Sequence, residues 1–174
     1  NEIVALVPFG KRTSLENMFI LGEFGVKTQG ERAEIIAKPK TVAFGDLTRQ
    51  GFPFYGGCVE YCTEVETKAG TVEIEIPEYY AALLHVELDE KQADVFAEPY
   101  TARFEKVAAG VHSLRLTAYG TRINTFGQLH NCNRKEEYYG PKSYRTSGKN
   151  WSYVYQLHQT GVTVAPIVRV LEEK

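Results

Sequence analysis

The densest group of chemically capable side chains lies in one stretch, Tyr119–Asn131, which reads YGTRINTFGQLHN. It combines a guanidinium, several amides and an imidazole, which together can donate to and accept from hydroxyl groups. It directly follows a run of strict apolar and polar alternation, so it sits at the end of a rigid element, where binding residues concentrate. The sequence therefore predicts a binding loop here. Its candidate residues are Arg122, Asn124, His130 and Asn131.

Two cysteines four positions apart, Cys58 and Cys62, have a spacing that suggests a metal or redox motif. The residues around them alternate as in a strand, and four residues of strand span roughly 13 Å. A disulfide needs Cα atoms within about 7 Å, and a shared zinc ion is equally out of reach. We therefore expect free thiols on one strand face. Free thiols weakly favour a cytoplasmic compartment, and an extracellular or periplasmic parent protein remains open.

A carboxylate pair for glycoside hydrolysis would have to come from residues such as Glu73 and Glu75, about 7 Å apart along one strand face. That separation suits an inverting mechanism. The pattern places both on the outward face of the strand, in solvent. A solvated strand face is the favoured interpretation, and an autonomous glycosidase is the least favoured. His130 and Cys132 are sequence neighbours in a loop, a poor arrangement for a nucleophile and its base.

The bulk composition is that of a globular domain, with 43% hydrophobic residues, 24% charged residues and a formal net charge of −2. The sequence contains no long basic run of the kind that predicts a nucleic-acid partner, and no apolar stretch reaches the roughly 18 residues of a membrane span. A chain of 174 residues suits one domain, so we expect a single β-sandwich domain over residues 1–174. Because it starts at Asn1 without Met, we expect it to be excised from a larger multidomain protein.

The elements that must position the loop are strands, because alternation with period two recurs along the chain and no long helical stripe appears. The capping pattern Thr13–Glu16 predicts at most one helical turn, and 133–151 is expected to be a surface excursion. The pattern predicts an all-β fold of packed antiparallel sheets. Its predicted strands lie within Met18–Val26, Ala33–Ala37, Cys58–Val65, Thr71–Ile76, Leu84–Asp89, Leu114–Tyr119, Tyr153–Leu157 and Val162–Leu171.

Four segments in order carry a family resemblance. They are Gly51–Gly57 (GFPFYGG), His85–Tyr100, Gly110–Gly120 and RINTFGQLHN, whose Arg122, Asn124, Gly127 and His130 form the pattern Arg-x-Asn-x-x-Gly-x-x-His. From about Leu15 to Val168 the chain resembles the galactose-binding-like β-sandwich domain of large bacterial glycoside hydrolases. That group includes the family 2 sugar-binding domain and its relatives in α-L-rhamnosidase-like enzymes.

The resemblance implies a jelly-roll β-sandwich of about eight or nine strands and a non-catalytic accessory role. The expected partners are a carbohydrate and the catalytic domain of the same parent protein. A purely structural packing domain without a ligand is the alternative. No cofactor is expected, although domains of this type can carry a structural calcium ion, which the sequence does not locate. Relatives usually place Asn-Gly where this chain has Asp89-Glu90-Lys91, so ligand contacts are not carried over to that turn.

A sugar site needs aromatic faces for the apolar side of a pyranose and polar groups for its hydroxyls. The loop candidates Arg122, Asn124, His130 and Asn131 supply polar groups. The aromatic candidates are Trp151 and Tyr55, beside Tyr138, Tyr139 and Tyr144. The alternative for Asn124 and His130, which is slightly favoured, is that they order the loop by bonding its own backbone.

Overall fold

Two antiparallel sheets form the body of the protein in a computed structural model that describes residues 4–13, 18–133, 135, 140, 143–144 and 146–171. The larger sheet has the strand order β3-β9-β6-β7 and the smaller the order β11-β4-β8. The four strands of the larger sheet are β3 Cys58–Thr67, β6 Leu83–Leu88, β7 Lys91–Val95 and β9 Gly110–Tyr119. Those of the smaller sheet are β4 Gly70–Glu75, β8 Thr101–Val107 and β11 Ile167–Leu171.

Smaller elements flank this body. The hairpin β1–β2 joins Phe24–Gln29 to Arg32–Ala37, and the short pair β5–β10 joins Tyr79–Tyr80 to Gly161–Val162. A 3₁₀ turn covers Leu47–Arg49, and the helix α1 covers Ile123–Phe126. Among the described residues no helix is long and apolar enough to cross a membrane.

One hydrophobic core lies between the two sheets. The alternation that predicted the strands is the alternation of burial: Val72 and Ile74 on β4 and Val86 on β6 are fully buried, while their neighbours Glu73 and Glu87 are only half-buried. Strands of both sheets contribute to the same cluster of buried side chains. The prediction of an all-β, antiparallel sandwich is therefore confirmed. The jelly-roll connectivity stays a prediction.

Three predicted strands differ from the structure. The strand predicted over Met18–Val26 begins only at Phe24, because its partner β2 ends at Ala37, shortly before Pro39, and the chain before Phe24 pairs with nothing in the sheet. The strand predicted over Val162–Leu171 is split into β10 and β11 around Pro166, which has no N–H to donate.

The strand predicted over Tyr153–Leu157 does not form. Its backbone N–H groups bond two different segments instead: Tyr155 donates to Gly30 and Gln156 donates to Leu129. The described residues contain eleven strands where eight or nine were expected. Two of the eleven, β5 and β10, have only two residues each. The capping pattern at Thr13–Glu16 and most of 134–142 lie outside the described residues.

A buried histidine ties the β6–β7 turn of the larger sheet to the β8–β9 turn, which connects the two sheets. His112 on β9 is 8% exposed. Its Nδ1 lies 2.6 Å from the Asp89 carboxylate and its Nε2 lies 3.0 Å from the Ala108 carbonyl, so acceptors face both ring nitrogens. The hydrogen bond with Asp89 raises the pKa of His112. The same bond, with one from the Ser113 N–H, lowers the pKa of Asp89. The imidazolium is the form that satisfies both acceptors.

This pair predicts a pH-dependent stability. Because the pKa of His112 is raised by folding, its contribution to the free energy of unfolding is complete below the pKa of an unfolded histidine, about 6.5. That contribution is lost as the pH rises through the pKa of His112 in the folded protein. The lowered pKa of Asp89 means that its contribution is complete above about 3.9 and is lost as the pH falls through the folded value. Urea unfolding from pH 5 to 9 should show a falling midpoint that flattens in His112→Gln. An unchanged slope in that variant would contradict the assignment.

Candidate functional site

The predicted loop begins where β9 ends and is held against the segment GFPFYGG. The Gly120 N–H donates to the Gly57 carbonyl at 3.2 Å, and a Cβ on Gly120 would lie 2.5 Å from that oxygen. Only glycine permits this close approach. One turn later the Thr125 hydroxyl donates to the Phe54 carbonyl at 2.8 Å. The loop is therefore anchored at its start and within α1.

Asn124 on α1 makes the tightest tie between the loop and a distant part of the chain. It is 1% exposed. Its Nδ2 donates to the His158 carbonyl at 2.7 Å, and its Oδ1 accepts from the His158 N–H at 2.9 Å. This is the loop-ordering role that the sequence analysis weighed against a sugar contact.

His130 and Asn131 carry the loop into a second tie, with the segment around Trp151. Asn131 and Trp151 form an antiparallel bridge, and the Ser152 N–H donates to the His130 carbonyl at 3.0 Å. The His130 Nδ1 lies 2.9 Å from the Ser152 carbonyl. The His130 ring is 5.0 Å from the ring of Tyr155 and 6.1 Å from that of Trp151, centroid to centroid. An aromatic cluster thus forms beside the polar loop.

This cluster lines a groove of about 890 Å³, which we call the aromatic groove. Its walls come from the segment before β1, the hairpin β1–β2, the loop after α1 and the segment around Trp151. The lining residues are Met18, Phe19, Ile20, Leu21, Phe24, Val26, Ala33, Glu34, Ile35, Phe54, Thr125, Phe126, Gly127, Gln128, Leu129, His130, Asn131, Tyr144, Thr146, Trp151 and Tyr155.

The groove brings together three of the six predicted sugar-binding residues, namely His130, Asn131 and Trp151. The aromatic candidate Tyr144 also lines it, and its hydroxyl donates to the Phe126 carbonyl at 2.7 Å. Tyr138 and Tyr139 lie outside the described residues.

The other three predicted residues do not line the groove. Asn124 is buried, with its amide bonded to the His158 backbone. Arg122 is exposed, with its guanidinium carbon 6.0 Å from the Phe126 ring centroid. The Tyr55 hydroxyl donates to the Cys58 carbonyl at 3.1 Å, beside the glycines that receive the loop.

Sequence reasoning missed two groove residues that matter chemically. Tyr155 was placed in the predicted strand Tyr153–Leu157, and Glu34 in the predicted strand Ala33–Ala37. A sequence signal existed for the first, since Trp151, Tyr153 and Tyr155 place an aromatic ring at every second position. Nothing in the local sequence of Glu34 indicates that β2 forms a wall of the groove.

The carboxylate pair considered for hydrolysis lies elsewhere, on the outward face of the smaller sheet. Glu73 lies 3.6 Å from the Arg103 guanidinium, and Glu75 is ion-paired with Arg169. Each carboxylate therefore has a cross-strand cation as partner, which is typical of a solvated sheet surface. Cys58 and Cys62 are exposed and unpaired on β3. Within the described part of the chain, no group of three or more His, Cys, Asp or Glu could hold a metal ion.

The fold and groove define an all-β sandwich with a loop-built concave site. No family model matches the chain, and no curated protein matches it. Among solved structures, it is similar to a GH2 beta-galacturonidase from Eisenbergiella tayi in two states, bound to glycerol and bound to galacturonate. The identities are 16% and 15%, and the TM-scores are 0.39 and 0.38. The matches cover 83% of this chain, which spans 22% of the length of the enzyme. Likenesses this distant establish no family membership.

The Asn124 tie predicts a measurable loss of stability. Replacing Asn124 by Ala removes both hydrogen bonds and leaves the N–H and carbonyl of His158 without their partner, at a cost of about 1–3 kcal/mol in the free energy of unfolding. Thr125→Ala, one residue further along, removes a single hydrogen bond and should cost about 0.5–1.5 kcal/mol. Urea unfolding of both variants measures the difference. Equal costs would show that the Asn124 pair is not the stronger tie.

Proposed function

We propose that this chain is a non-catalytic accessory domain of a glycoside hydrolase, and that the aromatic groove is its carbohydrate-binding site. One observation carries the proposal: the rings of Trp151, His130 and Tyr155 line the same groove as the polar side chains of Gln128 and Glu34. The resemblance of the Arg122–His130 pattern to galactose-binding-like domains supports the same class of ligand.

The chemistry of the groove fits a pyranose ring. The C–H face of a sugar packs on aromatic rings, and its hydroxyls need both donors and acceptors. Gln128 supplies both, and Glu34 supplies acceptors only. The volume of about 890 Å³ falls in the range typical of small-molecule sites. The largely apolar walls favour contact with the sugar's C–H face.

The residues that line the aromatic groove support a non-catalytic role. Glycoside hydrolysis generally requires two carboxyl groups facing each other across the scissile bond. Among the described lining residues, only Glu34 carries a carboxyl group. The pair Glu73 and Glu75 is engaged by arginines on a sheet face outside the groove. The site is therefore proposed to hold a sugar for a catalytic domain of the parent protein.

The proposal predicts a saccharide-dependent change in fluorescence. Trp151 is the chain's single tryptophan and lines the groove, so its emission should shift when a mono- or oligosaccharide packs beside it. Tyr155→Ala should weaken binding by about five- to tenfold, because it removes an aromatic face worth about 1–1.5 kcal/mol. Tyr55→Phe, outside the groove, should leave binding unchanged. No response across a broad panel of neutral and acidic glycans, by fluorescence and calorimetry, would contradict the proposal.

A second candidate function, a packing domain that meets its parent through an apolar surface, is favoured by the exposed apolar residues before β1, of which Met18, Phe19, Ile20 and Leu21 also line the aromatic groove. Large apolar side chains before β1 are exposed, Leu21 at 90% and Phe9 at 78%. Patches of this kind mark interaction sites when they are contiguous. The exposed members of this set are Val4, Leu6, Val7, Phe9, Met18, Phe19, Ile20 and Leu21. A catalytic domain of the same polypeptide is the proposed partner.

The packing candidate predicts that this surface binds an apolar dye without contributing to the core. Leu21→Ser and Phe9→Ser should reduce the fluorescence of bound anilinonaphthalene sulfonate while leaving the unfolding midpoint almost unchanged, because both side chains are exposed. The matched control is Leu47→Ala, at a buried leucine, which should cost about 2–5 kcal/mol. A wild-type chain that binds no dye and stays monomeric at high concentration would argue against a packing surface.

A further inference from the structure

A second concave site, of about 650 Å³, shares the lining residues Val26 and Tyr155 with the aromatic groove. We call it the polar crevice. It runs between the hairpin β1–β2, the 3₁₀ turn Leu47–Arg49 and the segment after Tyr155. Its polar lining residues include Lys27, Thr28, Asp46, Arg49, Gln50 and Gln159.

The two sites are neighbours because Val26 and Tyr155 line both. Tyr155 is fixed from three directions: its N–H donates to the Gly30 carbonyl at 3.2 Å, and its ring packs 5.4 Å from Phe54 and 5.0 Å from His130. A ligand longer than one sugar ring that lies beside Tyr155 in the aromatic groove can therefore extend into the polar crevice.

The polar crevice differs from the aromatic groove in charge. Two cations line it, Lys27 and Arg49, against one carboxylate, Asp46. Asp46 is already engaged: its Oδ1 accepts from the Thr48 N–H at 3.0 Å and from the Thr160 N–H at 3.3 Å, and its Oδ2 accepts from the Thr48 hydroxyl at 2.8 Å. The Arg49 Nε is 4.0 Å from Asp46 Oδ2, so the guanidinium is only loosely held by it.

The other polar side chains of the crevice fall into two groups: one is hydrogen-bonded to the backbone of the protein, and the others can bond the hydroxyls of a ligand. Gln50 is committed to the scaffold, since its side chain accepts from the Ala43 N–H at 2.8 Å and donates to the Ala43 carbonyl at 3.1 Å. Gln159 and Thr28 line the crevice beside the cations. The crevice thus combines cations, an amide and a hydroxyl with an aromatic ring. This combination recognises an anionic, hydroxylated ligand.

We propose that the polar crevice is a subsite for an acidic sugar residue, whose anionic group is bound by Lys27 and Arg49. This inference rests on the proposed function, because the adjoining ring of the same oligosaccharide occupies the aromatic groove. The domain is then selective for acidic oligosaccharides over neutral ones. The shared chemistry is a sugar-borne anion, which is either the carboxylate of a uronic acid or a sulfate ester.

The test compares each acidic oligosaccharide with a neutral twin by isothermal titration calorimetry at low salt. The first arm uses oligosaccharides of neutral residues that end in one uronic acid, with their methyl esters, and the second uses oligosaccharides with one terminal sulfate ester, with their desulfated forms. The acidic member of one pair should bind about tenfold tighter than its twin, and the advantage should shrink as salt screens it. Lys27→Met/Arg49→Met should remove the advantage, so that the acid binds no tighter than its neutral twin.

A control variant separates the subsite from the overall charge of the protein. Lys68→Met/Arg103→Met makes the same change in net charge at positions outside the crevice, so it should keep the preference for the acid. Circular dichroism confirms that both double variants are folded. The inference is overturned if the neutral twin binds as tightly as the acid, or if the preference for the acid survives in Lys27→Met/Arg49→Met. In either case, binding of the neutral oligosaccharide still supports the aromatic groove as a sugar site. Absence of binding by every glycan overturns the proposed function and the inference with it.

Discussion

The pair of hydrogen bonds between the Asn124 carboxamide and the His158 backbone is the constraint on which the rest of the site depends. It joins positions 34 residues apart in the chain. On one side lies α1, which leads into the loop that lines the aromatic groove. On the other side lies the segment that carries Tyr155 and lines the polar crevice. An amide that both donates and accepts fixes the distance and the orientation of that segment at once, which a single hydroxyl would not do.

That constraint works only because the sheets beneath it are rigid. β9 pairs with β3 over its whole length and with β6 along its second half, so its last residue, Tyr119, is held from both sides. The loop therefore leaves a fixed point. Where the loop must pass close to the backbone of Gly57, the chain has Gly120, whose missing Cβ allows the contact. Regular structure thus supplies the platform, and a few side-chain to backbone bonds supply the shape of the site.

Local pattern was enough to predict the sheets, because a strand face buried in a core leaves a period of two in the sequence. Val72, Ile74 and Val86 lie in strands that were predicted from that pattern, and they are fully buried. The grooves left no such pattern, since they are formed by backbone bonds between segments far apart in the chain. The aromatic residues around Trp151 alternate as a strand would, yet their N–H groups bond to Gly30 and Leu129 rather than to one partner strand. Which loop candidates face the groove was therefore not readable from residue type.

The position of Tyr155 gives the two sites a physical relation that neither has alone. A ring that lines both concavities can contact two successive sugar residues, one on each side, and the second contact is then intramolecular. Under the proposed function, weak binding of one sugar residue in each site adds up to tighter binding of a longer oligosaccharide whose charges match, because Glu34 lines one site while Lys27 and Arg49 line the other. A uniformly charged oligosaccharide would meet attraction in the crevice and repulsion from Glu34 in the groove. The favoured ligand therefore carries its anion at one end and a neutral residue at the other.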